Sequence, residues 1–160
     1  MRAMLARCRT TTSAAMPAAK SARSVRPASR ATKGAAAQAA IDAVGNTFAN
    51  TITGNAAANV LDGGTGFDTA DYSAAGGSVT VRLDGTASTG GHAAGDTIMN
   101  VERVVGSGLN DTLIGHVFSE TLEGGTGDDV LRGGAGADRL TGGAGFDTAD
   151  YSTSAGVVVN

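Results

Sequence analysis

The chain has 160 residues, 25 of them glycine, with 4% aromatic residues, one cysteine and no tryptophan. A chain so poor in large side chains cannot build a deep apolar core, and a lone Cys8 excludes an internal disulfide framework. No run of about 18 apolar residues is present, which argues against a helical membrane span, so metal, oligomerisation or a repeating architecture must stabilise the fold.

The net charge of −3 conceals two unlike halves. Residues 1–41 carry Arg2, Arg7, Arg9, Lys20, Arg23, Arg26, Arg30 and Lys33 and no acid. Residues 42–160 carry all 15 acids against four arginines, a net −11. The first stretch is an Ala/Arg/Ser-rich leader without the continuous apolar segment of a secretory signal. Its composition suits an organellar transit peptide, and its unpaired positive charge would attract phosphate. No aromatic residue interleaves the arginines, so nucleic-acid binding is not expected and a disordered leader is the reading adopted. Residues 31–44 have the propensity for a short Ala-rich helix.

Beyond residue 41 the chain repeats every nine residues. A first block, 42–71, holds Gly45–Thr53 with Asn50 at the sixth place, Gly54–Asp62 with Asn59, and Gly63–Asp71 with Asp68. An insert, 72–105, reads as a strand at Val79–Leu83, a turn at Asp84-Gly85 and a loop through Gly90-Gly91. Ile98, Val101, Val104 and Val105 then return to the repeats. Its 34 residues are not a multiple of nine, so winding is expected to break there. A second block, 106–152, opens with two looser copies, Gly106–Ile114 with Asp111 and Gly115–Glu123 with Glu120. Three tandem matches to G-G-x-G-x-D-x-U-x follow, where U is apolar: Gly124–Arg132, Gly133–Thr141 and Gly142–Asp150. Phe67–Ser73 recurs letter for letter as Phe146–Ser152, and 153–160 then reads as the start of a truncated further insert. The chain is therefore expected to be a fragment of a longer array.

Each place in the nonapeptide has a physical task. Paired glycines tolerate positive φ and close approach, so a tight turn can aim its carbonyls inward. The sixth residue adds a carboxylate to the same concavity. The last three residues suit a very short strand with U facing in. Two nonapeptides make one winding, so turns 18 residues apart stack at about 4.8 Å. Asp111, Asp129 and Asp147 then form one column, and Glu120 and Asp138 another. Stacked carboxylates repel by about 1 kcal/mol per pair in water unless neutralised. Carboxylates with turn carbonyls make an all-oxygen shell with loose geometry, which suits calcium better than magnesium, and there is no thiolate or imidazole for zinc. The inward set is Ile52, Leu61, Ala70, Leu113, Leu122, Leu131, Leu140 and Ala149.

Residues 45–152 resemble the RTX, or hemolysin-type, calcium-binding repeat region, most specifically at 124–150. The resemblance implies an all-β fold, a parallel β-roll (β-solenoid). It implies Ca2+ held between turns one winding apart, by carbonyls at places one to four and the sixth-place carboxylate. Carried onto this chain, the best site lies between Gly124, Thr126, Asp129 and Gly142, Ala144, Asp147. Others lie between Asp111 and Asp129, and between Glu120 and the turn Gly133, Ala135, Asp138. In the first block Asn50 faces Gly63, Thr65, Asp68, with lower affinity because an amide oxygen carries no charge. Leu109, His116, Phe118 and Glu120 depart from the pattern.

Other residues take blander expectations. Asn59 has no evident partner and caps its turn. Glu102 and Glu123 are solvated, and Asp62, Asp71, Asp128 and Asp150 are surface charge. Tyr72 and Tyr151 pack, and His92 and His116 belong to loops. No catalytic constellation is visible, so the chain is not expected to be an enzyme. The resemblance implies calcium-dependent folding of a secreted or surface protein. The alternatives are an accessory module of a secreted protease, lipase or epimerase, or a metal-independent adhesive solenoid.

Overall fold

The computed structural model describes residues 39–154. The basic leader up to residue 38 and the end of the chain from 155 onward lie outside the described residues, as does most of the expected Ala-rich helix. Its described part is not helical: Ala43–Val44 is a strand.

Twelve short strands follow in chain order: β1 Ala43–Val44, β2 Thr51–Ile52, β3 Val60–Asp62, β4 Thr69–Asp71, β5 Thr80–Arg82, β6 Thr97–Met99, β7 Arg103–Val105, β8 Thr112–Ile114, β9 Thr121–Thr126, β10 Val130–Arg132, β11 Arg139–Ala144 and β12 Thr148–Ala149. All strand pairs are parallel, in three sheets ordered β1-β3-β6, β5-β8-β10-β12 and β2-β4-β7-β9-β11. The chain alternates between the five-stranded sheet and one of the other two, except where β5 and β6 follow one another in the insert. This is a parallel β-roll. In both repeat blocks a residue pairs with the one 18 places on: Ala43 with Leu61, Ile52 with Ala70, Leu113 with Leu131, Leu122 with Leu140.

The apolar eighth residue of each repeat is the second residue of its strand and points inward, because side chains alternate along a strand. Ile52, Leu61, Ala70, Leu113, Leu122 and Leu131 are all buried in one continuous core. Two members of the expected set differ. Leu140 is half-buried and Ala149 exposed, since no described winding stacks beyond β12.

The insert does not break the roll as its length suggests. The five-stranded sheet runs straight through, with Ala70 paired to Val104. The return segment supplies β6, which caps the three-stranded sheet beside β3. The outgoing segment supplies β5, which begins the four-stranded sheet beside β8. Tyr72, Ala75, Val79, Ala93 and Ile98 fill the space between. Tyr72 is buried, as packing requires, whereas Tyr151 is 40% exposed despite its identical local sequence. His92 lies in a single 3-10 turn, Gly91–Ala93.

Candidate metal centre

The residue immediately before each strand occupies a fixed place in the roll. Before seven of the twelve strands its backbone N–H donates to a side-chain oxygen of the corresponding residue one winding on. Asp111 N–H donates to Asp129 Oδ1 at 2.7 Å, Asp129 N–H to Asp147 Oδ1 at 3.1 Å, and Glu120 N–H to Asp138 Oδ1 at 2.9 Å. In the first block Asn50 N–H donates to Asp68 Oδ1 at 2.7 Å. These are the pairings that nine-residue counting expects. One carboxylate oxygen is thus committed to the backbone ladder, which leaves the other to face the turn.

Three carboxylate oxygens at these places, Asp68 Oδ2, Glu120 Oε2 and Asp129 Oδ2, are buried without any hydrogen-bond partner. A buried, unpaired carboxylate oxygen is costly unless something positive neutralises it. Carbonyls converge on the same place. At Gly124 an added Cβ would lie 2.7 Å from the Gly142 oxygen of the next winding and would collide with Asp129 Oδ2. At Gly106 it would lie 2.6 Å from Asp111 Oδ2 and against the Gly124 oxygen; at Gly115 it would lie 3.1 Å from Glu120 Oε2 and against the Gly133 oxygen. The first glycine of each turn is therefore the floor of an oxygen-lined cradle that any larger residue would fill. The second glycine serves the stacking itself. Gly143 has φ of 115° and sits paired with Gly125, where a Cβ would come within 2.9 Å of the Gly125 carbonyl carbon.

The third-place residues are placed less uniformly. Thr126 and Ala144 lie on paired extensions of β9 and β11, and the Ala144 carbonyl accepts from Gly127 N–H at 2.9 Å. Thr65 and Ala135 donate their N–H groups down to Asn46 and His116 carbonyls. Asp111 has both its oxygens engaged, by Ser107 N–H at 2.5 Å, Ser107 Oγ at 2.8 Å and Val79 N–H at 2.8 Å. Asp138 is half-buried and Asp147 exposed.

The asparagine turns are wired differently. Asn50 presents both ends of its amide to the turn: the nitrogen donates to the Phe48 carbonyl at 2.8 Å, and the oxygen accepts from Asn46 N–H at 2.8 Å beside Gly45. Asn59 donates to the Asn55 and Ala57 carbonyls at 3.1 and 2.5 Å. In both turns a side-chain NH2 thus takes up turn carbonyls. Contrary to what nine-residue counting suggests, Asn59 also has a partner. Its N–H and its amide both donate to Asp96 Oδ1 at 2.7 Å, while the Tyr72 hydroxyl donates to Asp96 Oδ2 at 2.8 Å. Asp96 is fully buried, and together with burial its charge drives the Tyr72 phenol far above its ordinary range.

Two further expectations need correcting. Glu102 is not simply solvated: its Oε2 accepts from Asp68 N–H at 2.7 Å. Glu123 forms a two-pronged ion pair with Arg103, at 3.1 and 2.6 Å, across neighbouring windings. Asp150 also bonds Arg132, and Ser152 with that arginine lowers its carboxyl to about 2.

The RTX calcium-binding nonapeptide repeat (4 copies) is the family model that matches this chain, at residues 42–70 and 114–149. Those two segments carry RTX calcium-binding repeats. No curated protein matches it. The donor set fits the ion this repeat family binds, since every unpaired group in the cradles is a hard oxygen. The RTX match omits 71–113, where Asp96 and Glu102 nevertheless continue the ladders.

Crowded acids make the metal-free roll pH-sensitive. Burial, then Asp138, raises the Glu120 carboxyl from 4.5 to about 7. Burial also raises Asp129, with the charges of Asp111, Asp147 and Asp128 adding to it. A carboxyl with a raised folded-state pKa favours the folded state below its unfolded value and loses that contribution as pH rises through the folded value. In chelator, the urea midpoint of the chain is therefore expected to fall as pH rises from 5 to 8. A midpoint that rises or stays flat over this window contradicts the cradle electrostatics.

Proposed function

We propose that this chain folds, or completes its folding, by binding calcium between successive windings, and that it serves a secreted or surface protein as a calcium-stabilised module. The observation that carries the reading is the set of three buried, unpaired carboxylate oxygens at sixth places of the turns, Asp68, Glu120 and Asp129. Each lies beside the first glycine of its turn. The ions would be held by Asp129 and Asp147 with Gly124, Thr126, Gly142 and Ala144; by Asp111 and Asp129; by Glu120 and Asp138 with Gly133 and Ala135; and by Asp68 with Gly63 and Thr65. Calcium would supply positive charge and ligand-bridging between windings, and the chain would supply geometry.

Extracellular calcium modules bind at about 10⁻⁴ to 10⁻³ M. A roll tuned to that range stays loose where calcium is scarce and closes where it is plentiful, which is the argument for an exported setting. Titration of the full chain with calcium, followed by calorimetry and far-ultraviolet circular dichroism, tests this directly. Strand signal should rise, and thermal stability with it, over that concentration range. An equal spectrum and an equal melting temperature in chelator and in millimolar calcium would rule the reading out.

A further inference from the structure

We propose that the contracted turn Asn100–Glu102, outside every nonapeptide match, completes a calcium site with the turn Gly63–Asp68. The inference rests on the calcium reading above and adds a ligand pair to it. Glu102 immediately precedes β7, as Asp68 precedes β4, and Arg103 pairs with Thr69. Glu102 Oε2 accepts from Asp68 N–H at 2.7 Å, the same bond that Asp129 Oδ1 receives from Asp111. Glu102 is therefore a sixth-place carboxylate in structure, although no repeat surrounds it in sequence.

The other end of the turn is preserved as well. The atom that a Cβ on Gly63 would strike first is the Asn100 carbonyl oxygen, just as Gly124 oxygen is for Gly106 and Gly133 oxygen for Gly115. Asn100 thus supplies the first-place carbonyl. It does so at φ 51°, the sole positive φ of a non-glycine residue among those described, a conformation asparagine tolerates better than most. Three residues, Asn100, Val101 and Glu102, span what six residues span in a full turn, and both end donors are retained. Between them and Gly63 sits Asp68 Oδ2, on a fully buried residue and without a partner; a Cβ on Gly63 would lie 2.9 Å from it. Two carboxylates and backbone oxygen form a hard set that suits calcium.

The test compares the full chain with its Glu102→Gln and Glu123→Gln variants by equilibrium dialysis against calcium. In Glu102→Gln the side-chain amide oxygen can still accept from Asp68 N–H, so the ladder bond survives while the charge is lost. The expected result is one fewer bound ion, or at least a tenfold weaker class of one site, for Glu102→Gln, and wild-type stoichiometry for Glu123→Gln. Wild-type stoichiometry and affinity in both variants would overturn this site and leave the other calcium sites standing. No binding to the unaltered chain would overturn both. Should Glu102→Gln misfold, carboxyl carbon-13 resonances of the unaltered chain decide the matter: Glu102 and Asp68 must both shift with calcium, and an unmoved Glu102 sinks the proposal.

Discussion

Asp129→Asn is expected to move stability in opposite directions with and without calcium. Asp129 stands between Asp111 and Asp147, accepts from Asp111 N–H through Oδ1, and buries Oδ2 with no partner. Its carboxyl is pushed upward by burial and then by its acidic neighbours. In chelator at pH 8 the neutral amide removes a charge that repels its neighbours by about 1 kcal/mol per pair. Its oxygen can keep the ladder bond, and its NH2 can reach turn carbonyls as Asn50 and Asn59 already do. The metal-free variant should therefore resist urea better than the parent. In calcium the same change removes a charged ligand shared by two successive cradles. Affinity should fall at least about tenfold, which is about 1.4 kcal/mol per ion, and the saturated variant should melt earlier. Urea curves of both proteins in chelator and in millimolar calcium would show the two orders of stability crossing. If the variant is weaker in both conditions, Asp129 is a turn former and not a ligand.

The windings were legible because glycine pairs and a sixth-place acid or amide answer to backbone demands that few other residues meet. Hence the 18-residue spacing, the two columns of acids and most of the inward leucines follow from counting. Counting failed where the chain kept the place and discarded the spacing. Asp96 and Glu102 stand just before β6 and β7, as Asp129 stands before β10, but the insert shifts their partners to 37 and 34 residues away. One signal was available: Glu102 lies four residues ahead of Gly106, as Asp129 lies four ahead of Gly133. The different behaviour of asparagine was also hidden, because an amide brings a donor to the turn as well as an acceptor. Periodicity further shows which face looks inward without showing how many windings cover it, so it cannot separate Leu140 and Ala149 from Leu122.

That difference in cover sets the size of the largest core effect. Leu122→Ala is expected to destabilise the calcium-saturated roll by about 2–5 kcal/mol, the range for removing a buried leucine from a packed interior. Leu122 is fully buried in β9, paired between Val104 and Leu140, with β8 and β10 packed against its strand. Short strands with a single inward residue each leave few neighbours able to close the resulting void. Leu140→Ala, half-buried on β11, should cost roughly half as much. Urea midpoints at saturating calcium measure both, and equal losses would show that the winding beyond β9 is packed as tightly as the centre. A second consequence separates core from cradle. If folding and binding are one event, core free energy lost at Leu122 must be offset by a higher calcium concentration at half-folding, with the number of ions bound at saturation unchanged. Asp129→Asn also raises that concentration, but through weaker binding and with a steadier metal-free state. The two variants therefore share a shifted titration midpoint and differ in chelator, where Leu122→Ala alone loses residual structure.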